Sequence, residues 1–292
     1  GYCPLPSLRA IGRVLQQTDR TSPAFGLQPT RPIAAYPGPK ATRSNHVHQL
    51  DLVGPRYLKG RRSRYYFLVY KDVYDQAVYV EFWRAPTLDT LLGFVVRAWQ
   101  RLGLPEYLQV DNDALFAGTG RWPGSLNRFI RLALLVGVKL VFIPEGQPFR
   151  NGSVENFNGW FQPRLLAIQL HHPAQVRREL KTLMEVCFRE HVHPHLGFQT
   201  SQQVRRSLRP RRLPANFKRH QQPLPIAVGK VIFIRKVRRS GRITILRVKV
   251  HVGKRWQGRY VCATLYTRNA TLKIYHSRNL VKEVDFLIRG SG

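Results

Sequence analysis

Acidic residues are scarce. The 292-residue chain carries 16 Asp plus Glu against 48 Lys plus Arg, a formal charge of +32. That is too one-sided for an ordinary cytosolic metabolic enzyme and points to a polyanionic partner. Cysteine is almost missing too. Cys3, Cys187 and Cys262 are odd in number and far apart, so neither a disulfide framework nor a paired-cysteine metal knuckle can be built, and a reducing compartment is the default. Long apolar runs are also absent. The longest, Leu132 to Val138, is bracketed by Arg131 and Lys139 and falls well short of the ~18 residues of a membrane span. No transmembrane segment, signal-peptide pattern, internal repeat or low-complexity tract is seen. The chain opens on Gly1 rather than Met, so it is read as part of a longer protein.

What is present is enough to fold. A hydrophobic share of 43%, with 5 Trp, 12 Tyr and 15 Phe, supports buried cores and excludes a disordered basic tail. The length allows about two domains. Charge is unevenly placed: residues 45–203 hold 13 of the 16 acids and 19 Lys plus Arg. Residues 204–225 carry seven basic side chains and no acid, and residues 226–292 carry sixteen against two. Nucleic acid is the leading partner for such a surface. Charge alone leaves an anionic membrane or ribosomal RNA open.

Pro6 to Gln16 read as one short helix, followed by a Pro- and Gly-rich arm from Thr21 to Asn45. Val47–Val53, Tyr65–Tyr70 and Ala77–Trp83 are β-branched and aromatic runs at turn-length spacing, which predicts a three-stranded meander. Leu88, Leu91, Leu92, Val95, Trp99 and Leu102 recur at helical steps until Gly103 to Pro105, predicting an amphipathic helix. Strands at Tyr107–Val110 and Val138–Ile143 enclose a helix from about Ser125 to Val136, and two helices follow, one after Pro148 and one from Pro173 to about His191. A mixed sheet flanked by helices results. Residues 204–225, rich in Arg and Pro, read as an extended basic linker. Beyond it, alternating runs over 226–292 suggest a small antiparallel barrel of about five strands.

Three acids stand out. Asp51 falls inside a strand, Asp111 just after one, and Glu155 near a helix start on the polar face it shares with Asn158 and Gln162. Each has an ordinary explanation: a strand-edge Asp facing water, a turn, a first-turn acid favoured by the helix dipole. Jointly they can converge in the mixed sheet, where three oxygen ligands suit a pair of Mg²⁺ ions for phosphoryl transfer. The histidine pairs His46/His48 and His191/His193/His195 have no Cys at zinc-finger spacing. Asp72 and Asp75 read as turn residues, and Trp160 as core.

The segments Gln49-Leu50-Asp51-Leu52 and Val110-Asp111-Asn112, and the run Pro144 to Asn158 with its Asn151-Gly152-Ser153-Val154-Glu155-Asn156-Phe157-Asn158 core, resemble the motifs of retroviral-type integrases and bacterial insertion-sequence transposases. His193-Pro194-His195 through Thr200 resembles the motif that closes the core in such transposases, with Ser201 where Pro is usual. The resemblance spans residues 45–203. It implies a ribonuclease-H-like α/β core in which Asp51, Asp111 and Glu155 are the catalytic and metal-binding acids, with two Mg²⁺ or Mn²⁺ ions as cofactors. The implied reaction joins a DNA 3′-hydroxyl to a target phosphodiester. Asp113 stands where Gly is usual, and the 43 residues between Asp111 and Glu155 exceed the spacing in retroviral integrases. The excess falls in Gly118 to Ser125.

The resemblance extends outward. Residues 1–44 resemble the end of a helix-turn-helix domain plus an arm, and residues 226–292 an SH3-like DNA-binding barrel. Double-stranded DNA contacts are expected from Arg205, Arg206, Arg209, Arg211, Arg212, Lys218 and Arg219, and from Arg235, Lys236, Arg238 and Arg239. The resemblance further implies a homo-oligomer on DNA, an ATPase helper in some relatives, and a place in the bacterial nucleoid. Two alternatives stand beside it: a catalytically inactive domesticated relative that binds DNA, and a nuclease of the same fold acting on RNA in hybrids.

Overall fold

The alternation that predicts the meander builds three strands: β1 (Val47–Tyr57), β2 (Arg64–Asp72) and β3 (Val78–Trp83). They are antiparallel neighbours. In the computed structural model residues 36–60, 62–118, 122–168, 170–217 and 224–290 are described; the helix expected at Pro6 to Gln16 and the residues Lys218 and Arg219 lie outside them. Along β2, Leu68 and Tyr70 enter one hydrophobic core while Phe67 and Val69 enter another. This period of two makes the sheet a divider between two packed layers.

Helix α1 (Leu88–Leu102) starts at Thr87, whose side chain caps the Thr90 N–H while Thr90 answers the Thr87 N–H. It ends at Gly103, where φ is 97° and a Cβ would come within 2.6 Å of Pro210 Cβ, so the stop signal in the sequence is also a packing requirement. Then come β4 (Tyr107–Val110), α2 (Ala114–Ala117), β5 (Ser125–Leu126), α3 (Arg128–Leu135) and β6 (Lys139–Phe142). Strand β4 pairs parallel to β1, and β6 parallel to β4. Helices α1 and α3 bury Leu92, Val95, Trp99, Phe129 and Ile130 against one face. Helix α4 (Gly152–Ala167) and helix α5 (Pro173–Arg189) cover the other, burying Val154, Phe161, Val176 and Leu180. At the outer edge, the Val80 N–H of β3 meets Met184 Sδ of α5 at 3.1 Å, so the open strand edge is covered. A meander followed by parallel strands with helices on both faces is the ribonuclease-H-like arrangement.

After the short strands β7 (Val192–His193) and β8 (Gln199–Thr200) comes α6 (Ser201–Arg205). Downstream, the segment read as a linker packs on the core: Leu213 and Leu224 are buried in it, and the Leu104 N–H donates to Arg211 O at 2.7 Å. Strands β9 (Lys230–Lys236), β10 (Arg242–Ile245), β11 (Val248–His251), β12 (Tyr260–Tyr266), β13 (Thr271–His276), β14 (Asn279–Asp285) and β15 (Arg289–Gly290) follow. The antiparallel pairing of β9 with β12, β12 with β13, β13 with β14 and β10 with β11 fits an SH3-like region, while β15 pairs parallel to β5. Strand β9 also pairs parallel to β6, giving a nine-stranded sheet ordered β14-β13-β12-β9-β6-β4-β1-β2-β3. The junction is apolar: Phe142 and Phe233 stack with ring centroids 5.1 Å apart. No helix among the described residues is long and apolar enough to cross a membrane.

Candidate active site

Gln49 on β1 pairs with Gln109 on β4. Asp51 and Asp111 each lie two residues further on, so the pleat presents both on the same face and at the same level. That face is the one covered by α4. Four polar contacts fix the start of this helix: Val154 N–H to Gln49 Oε1 at 2.9 Å, Asn151 Nδ2 to Leu50 O at 3.2 Å, Gln109 Nε2 to Arg150 O at 2.7 Å, and Lys71 Nζ to Ser153 O at 3.0 Å. Asn158 is buried, and its Nδ2 donates to Asp51 Oδ2 at 2.6 Å. Glu155 lies one turn earlier on that edge, half-buried. Its charge, like that of Asp111, acts on Asp51.

The result is electrostatically unfavourable for the bare chain. Burial first, then the Asp111 charge and last that of Glu155, push the Asp51 carboxyl up from 3.8 to about 6. The Leu52 N–H and Asn158 work against that rise. Asp111 is raised chiefly by burial, with the Asp113 charge adding to it and the Asp113 N–H opposing. Asp113 itself is a helix cap: its Oδ1 accepts from the Leu115 N–H at 2.7 Å, and its N–H donates to Asp111 Oδ1 at 2.9 Å. The residue that departs from the resemblance thus shapes the loop that holds Asp111. Lys71 is lowered to about 8 by burial.

The donor set suits a hard divalent cation. Asp51, Asp111 and Glu155 are all half-buried, with the charges of the latter two acting on Asp51, and beside Asp51 the Asn158 Oδ1 is buried with no hydrogen-bond partner among the described residues. Among the described residues, no three His, Cys, Asp or Glu side chains stand together as a ready metal cage. The site therefore offers charge and donor type, with Asp51 held by Asn158.

The basic residues divide into two kinds. Arg206, Arg209, Arg211, Arg212, Lys236, Arg238 and Arg239 are exposed, although Arg238 lies 3.2 Å from Glu145 and Arg211 donates to Val136 O. Arg205 and Arg235 correct the expectation of DNA contact, because folding encloses both. Arg205 is 8% exposed as a side chain; it lies 2.7 Å from Asp72 Oδ2 and from Asp75 Oδ2. The second is a charge contact without hydrogen-bond alignment. Arg235, 6% exposed, donates to Asn112 Oδ1 at 2.7 Å and to the carbonyls of Ile143, Ile234 and Thr244 at 3.0, 2.9 and 3.0 Å. Asn112 Nδ2 in turn donates to Ile143 O at 2.6 Å. A C-terminal strand therefore holds the loop next to Asp111. Replacing Arg235 by Met removes the buried guanidinium donor from Asn112 Oδ1 and from three main-chain carbonyls, of which Ile143 O keeps Asn112 Nδ2, and a stability loss of about 2–4 kcal/mol is expected in urea unfolding.

The histidines do not form a metal group among the described residues. His191 and His193 stack at 4.7 Å and His195 lies tilted against His193 at 5.7 Å, and burial, ahead of the neighbouring rings, pushes His193 down to about 4. His48 is fully buried between Tyr70 Oη at 2.9 Å and Asp72 Oδ2 at 3.0 Å. Gln49, Gln109, Lys71 and Asn158 escaped the sequence reading as site residues. The two Gln carried a signal: each is a polar residue inside a strand, two before an acid.

No family model matches the chain, and no curated protein does. Solved structures similar to it include the HTLV-2 integrase catalytic core domain in complex with magnesium. Its dimeric form is 19% identical, over 56% of this chain and 99% of that one, with a TM-score of 0.43. The trimeric form is 18% identical over the same shares, with a TM-score of 0.44. A simian T-cell lymphotropic virus intasome in complex with PP2A regulatory subunit B56 gamma is 16% identical, over 86% of this chain and 87% of that one, with a TM-score of 0.48.

Proposed function

We propose that the chain is a DNA strand-transfer enzyme of the insertion-sequence transposase and integrase type, joining the 3′-hydroxyl ends of an element to target DNA. The observation that carries this reading is the placement of Asp51 inside β1 and Asp111 just past the end of the parallel strand β4, on the one face over which α4 lays Asn158, bonded to Asp51, and Glu155 one turn before it. Asp51, Asp111 and Glu155 would hold two Mg²⁺ or Mn²⁺ ions. Such ions, when bound, activate an attacking hydroxyl oxygen and stabilise a leaving oxygen. The chain's own contribution is orientation. Asn158 fixes one Asp51 oxygen, Gln49 and Gln109 fix the start of α4, and the Asn112–Arg235 contact fixes the loop beside Asp111.

Exposed arginines and lysines supply the DNA contacts, Arg209, Lys236 and Arg239 among them. Two element ends must be held together and each copy has a single acid set, so the working form is a homo-oligomer on DNA, with an ATPase helper where the element encodes one. The insertion-sequence reading places it at the bacterial nucleoid.

The test is joining of labelled element ends to a supercoiled target in Mg²⁺ or Mn²⁺, wild type beside Glu155→Gln. Joined product is expected from the wild type alone, with DNA binding equal in the two proteins. Equal binding with no joining by either leaves a DNA-binding protein in place of the enzyme.

A further inference from the structure

A cavity of about 410 Å³ opens between the C-terminal ends of α1 and α5, helix α6 and the segment after it. Leu102, Met184, Phe188 and Leu208 form its apolar part, and Arg101, Arg206 and Arg212 its basic part. No acid lines it. Arg205, at its inner wall, is already neutralised by Asp72 and Asp75. Neighbouring acids are taken as well, Glu185 by Arg189 and Glu81 by Arg97. Arg206 and Arg212 are exposed and join no ion pair among the described residues.

We propose that this cavity docks an acidic peptide segment of another protein, one bulky aliphatic or aromatic side chain filling the apolar floor and flanking carboxylates meeting Arg101, Arg206 and Arg212. Charge complementarity selects this occupant. The chain's own residues 1–35 carry four Arg and one Asp, the same sign as the rim. A second copy brings a net charge of +32. Duplex DNA supplies the anions but no apolar group to fill a concave floor, and its phosphates are met by open basic surfaces. An acidic peptide supplies both, in the way side-chain anchors fill interface pockets while charges set specificity. The site is also preformed: the buried pairing of Arg205 fixes α6, and Arg206 follows directly in the chain, so little ordering is required on binding.

The probe is a fluorescein-labelled Glu-Asp-Glu-Leu-Phe-Glu-Asp-Glu peptide, titrated with the full chain at physiological salt and followed by anisotropy. Saturable binding is expected. It should weaken at least tenfold when Leu-Phe in the peptide becomes Ala-Ala, and at least tenfold in the double variant Arg206→Glu, Arg212→Glu. The double variant Lys236→Glu, Arg239→Glu, of equal charge change elsewhere, should change it less than threefold. Thermal melts of both variants confirm that they are folded. The proposal is overturned by any of three results: no binding at millimolar peptide, equal binding of the Ala-Ala peptide, or equal loss in the two double variants. It is also overturned if a 12-base-pair duplex displaces the peptide and loses its own affinity through Arg206→Glu, Arg212→Glu, which assigns the cavity to nucleic acid.

Discussion

Asp51→Asn should move activity and stability in opposite directions. Joining of DNA ends is expected to fall by about a thousandfold or more, roughly 4 kcal/mol in the barrier, because a carboxylate that would hold the metal is lost. The fold itself should gain. In the folded chain the Asp51 carboxyl is raised from 3.8 to about 6, by burial first and then by Asp111. The folded state therefore binds this proton more tightly than the unfolded state does. Stability from this group is fully present below about pH 4 and is lost as pH climbs through 6. At pH 7 the ionised carboxylate costs the metal-free fold at most about 3 kcal/mol. Asn keeps a hydrogen-bonding oxygen for Asn158 without the charge, so the variant should melt higher than wild type at pH 7 and alike at pH 4. Added Mg²⁺ should raise the wild-type midpoint and leave the variant's unchanged. Equal melting at pH 7, or an equal response to Mg²⁺, would sink the electrostatic account of the site.

The second large effect lies away from the acids. Arg205→Met removes the cation between two carboxylates that are both fully buried, Asp72 and Asp75. Breaking one side of a buried ion group costs about 3–5 kcal/mol, because the partner charges stay buried and uncompensated. The two acids are not equivalent. Burial acts to raise Asp72, but His48 and Arg205 outweigh it and hold that carboxyl down. Burial and the Asp72 charge raise Asp75, against the pull of Arg205. Asp75 therefore takes up a proton first, so the deficit of Arg205→Met should shrink as pH falls through the acid range. Adding Asp75→Asn to Arg205→Met should recover part of the loss at neutral pH. Chemical denaturation of the single and double variants across pH reads both effects.

These residues also mark where sequence reading works and where it stops. The meander, α1 and the two parallel strands followed from period-two and helical spacing, and Gly103 marks the end of α1 in chain and fold alike. The three acids were legible as strand-interior, strand-end and first-turn carboxylates, and the shared face of Asp51 and Asp111 follows from the pairing of Gln49 with Gln109. Arg205 and Arg235 were misread for one physical reason. Their partners lie far off in the chain, 133 residues away for Asp72 and 123 for Asn112. A local window shows only a basic run, and whether a guanidinium meets phosphate or a buried carboxylate depends on tertiary pairing. Asp113 is the converse case: its capping of Leu115 N–H is local chemistry that a family comparison hides behind a missing glycine.

The pairing of β9 with β6 bears on how the sheet is completed. Leu140, Val141 and Phe142 find their neighbours at Val231, Ile232 and Phe233, about ninety residues later. Until those residues leave the ribosome, β6 presents a bare apolar rim with unpaired main-chain groups, a surface prone to self-association. Parallel contacts of that sequence separation also form late, because loop closure comes before any gain from pairing. Nascent chains of this protein thus carry an interval of aggregation risk that ends only when the C-terminal strands arrive, and slower translation across residues 143–230 lengthens it.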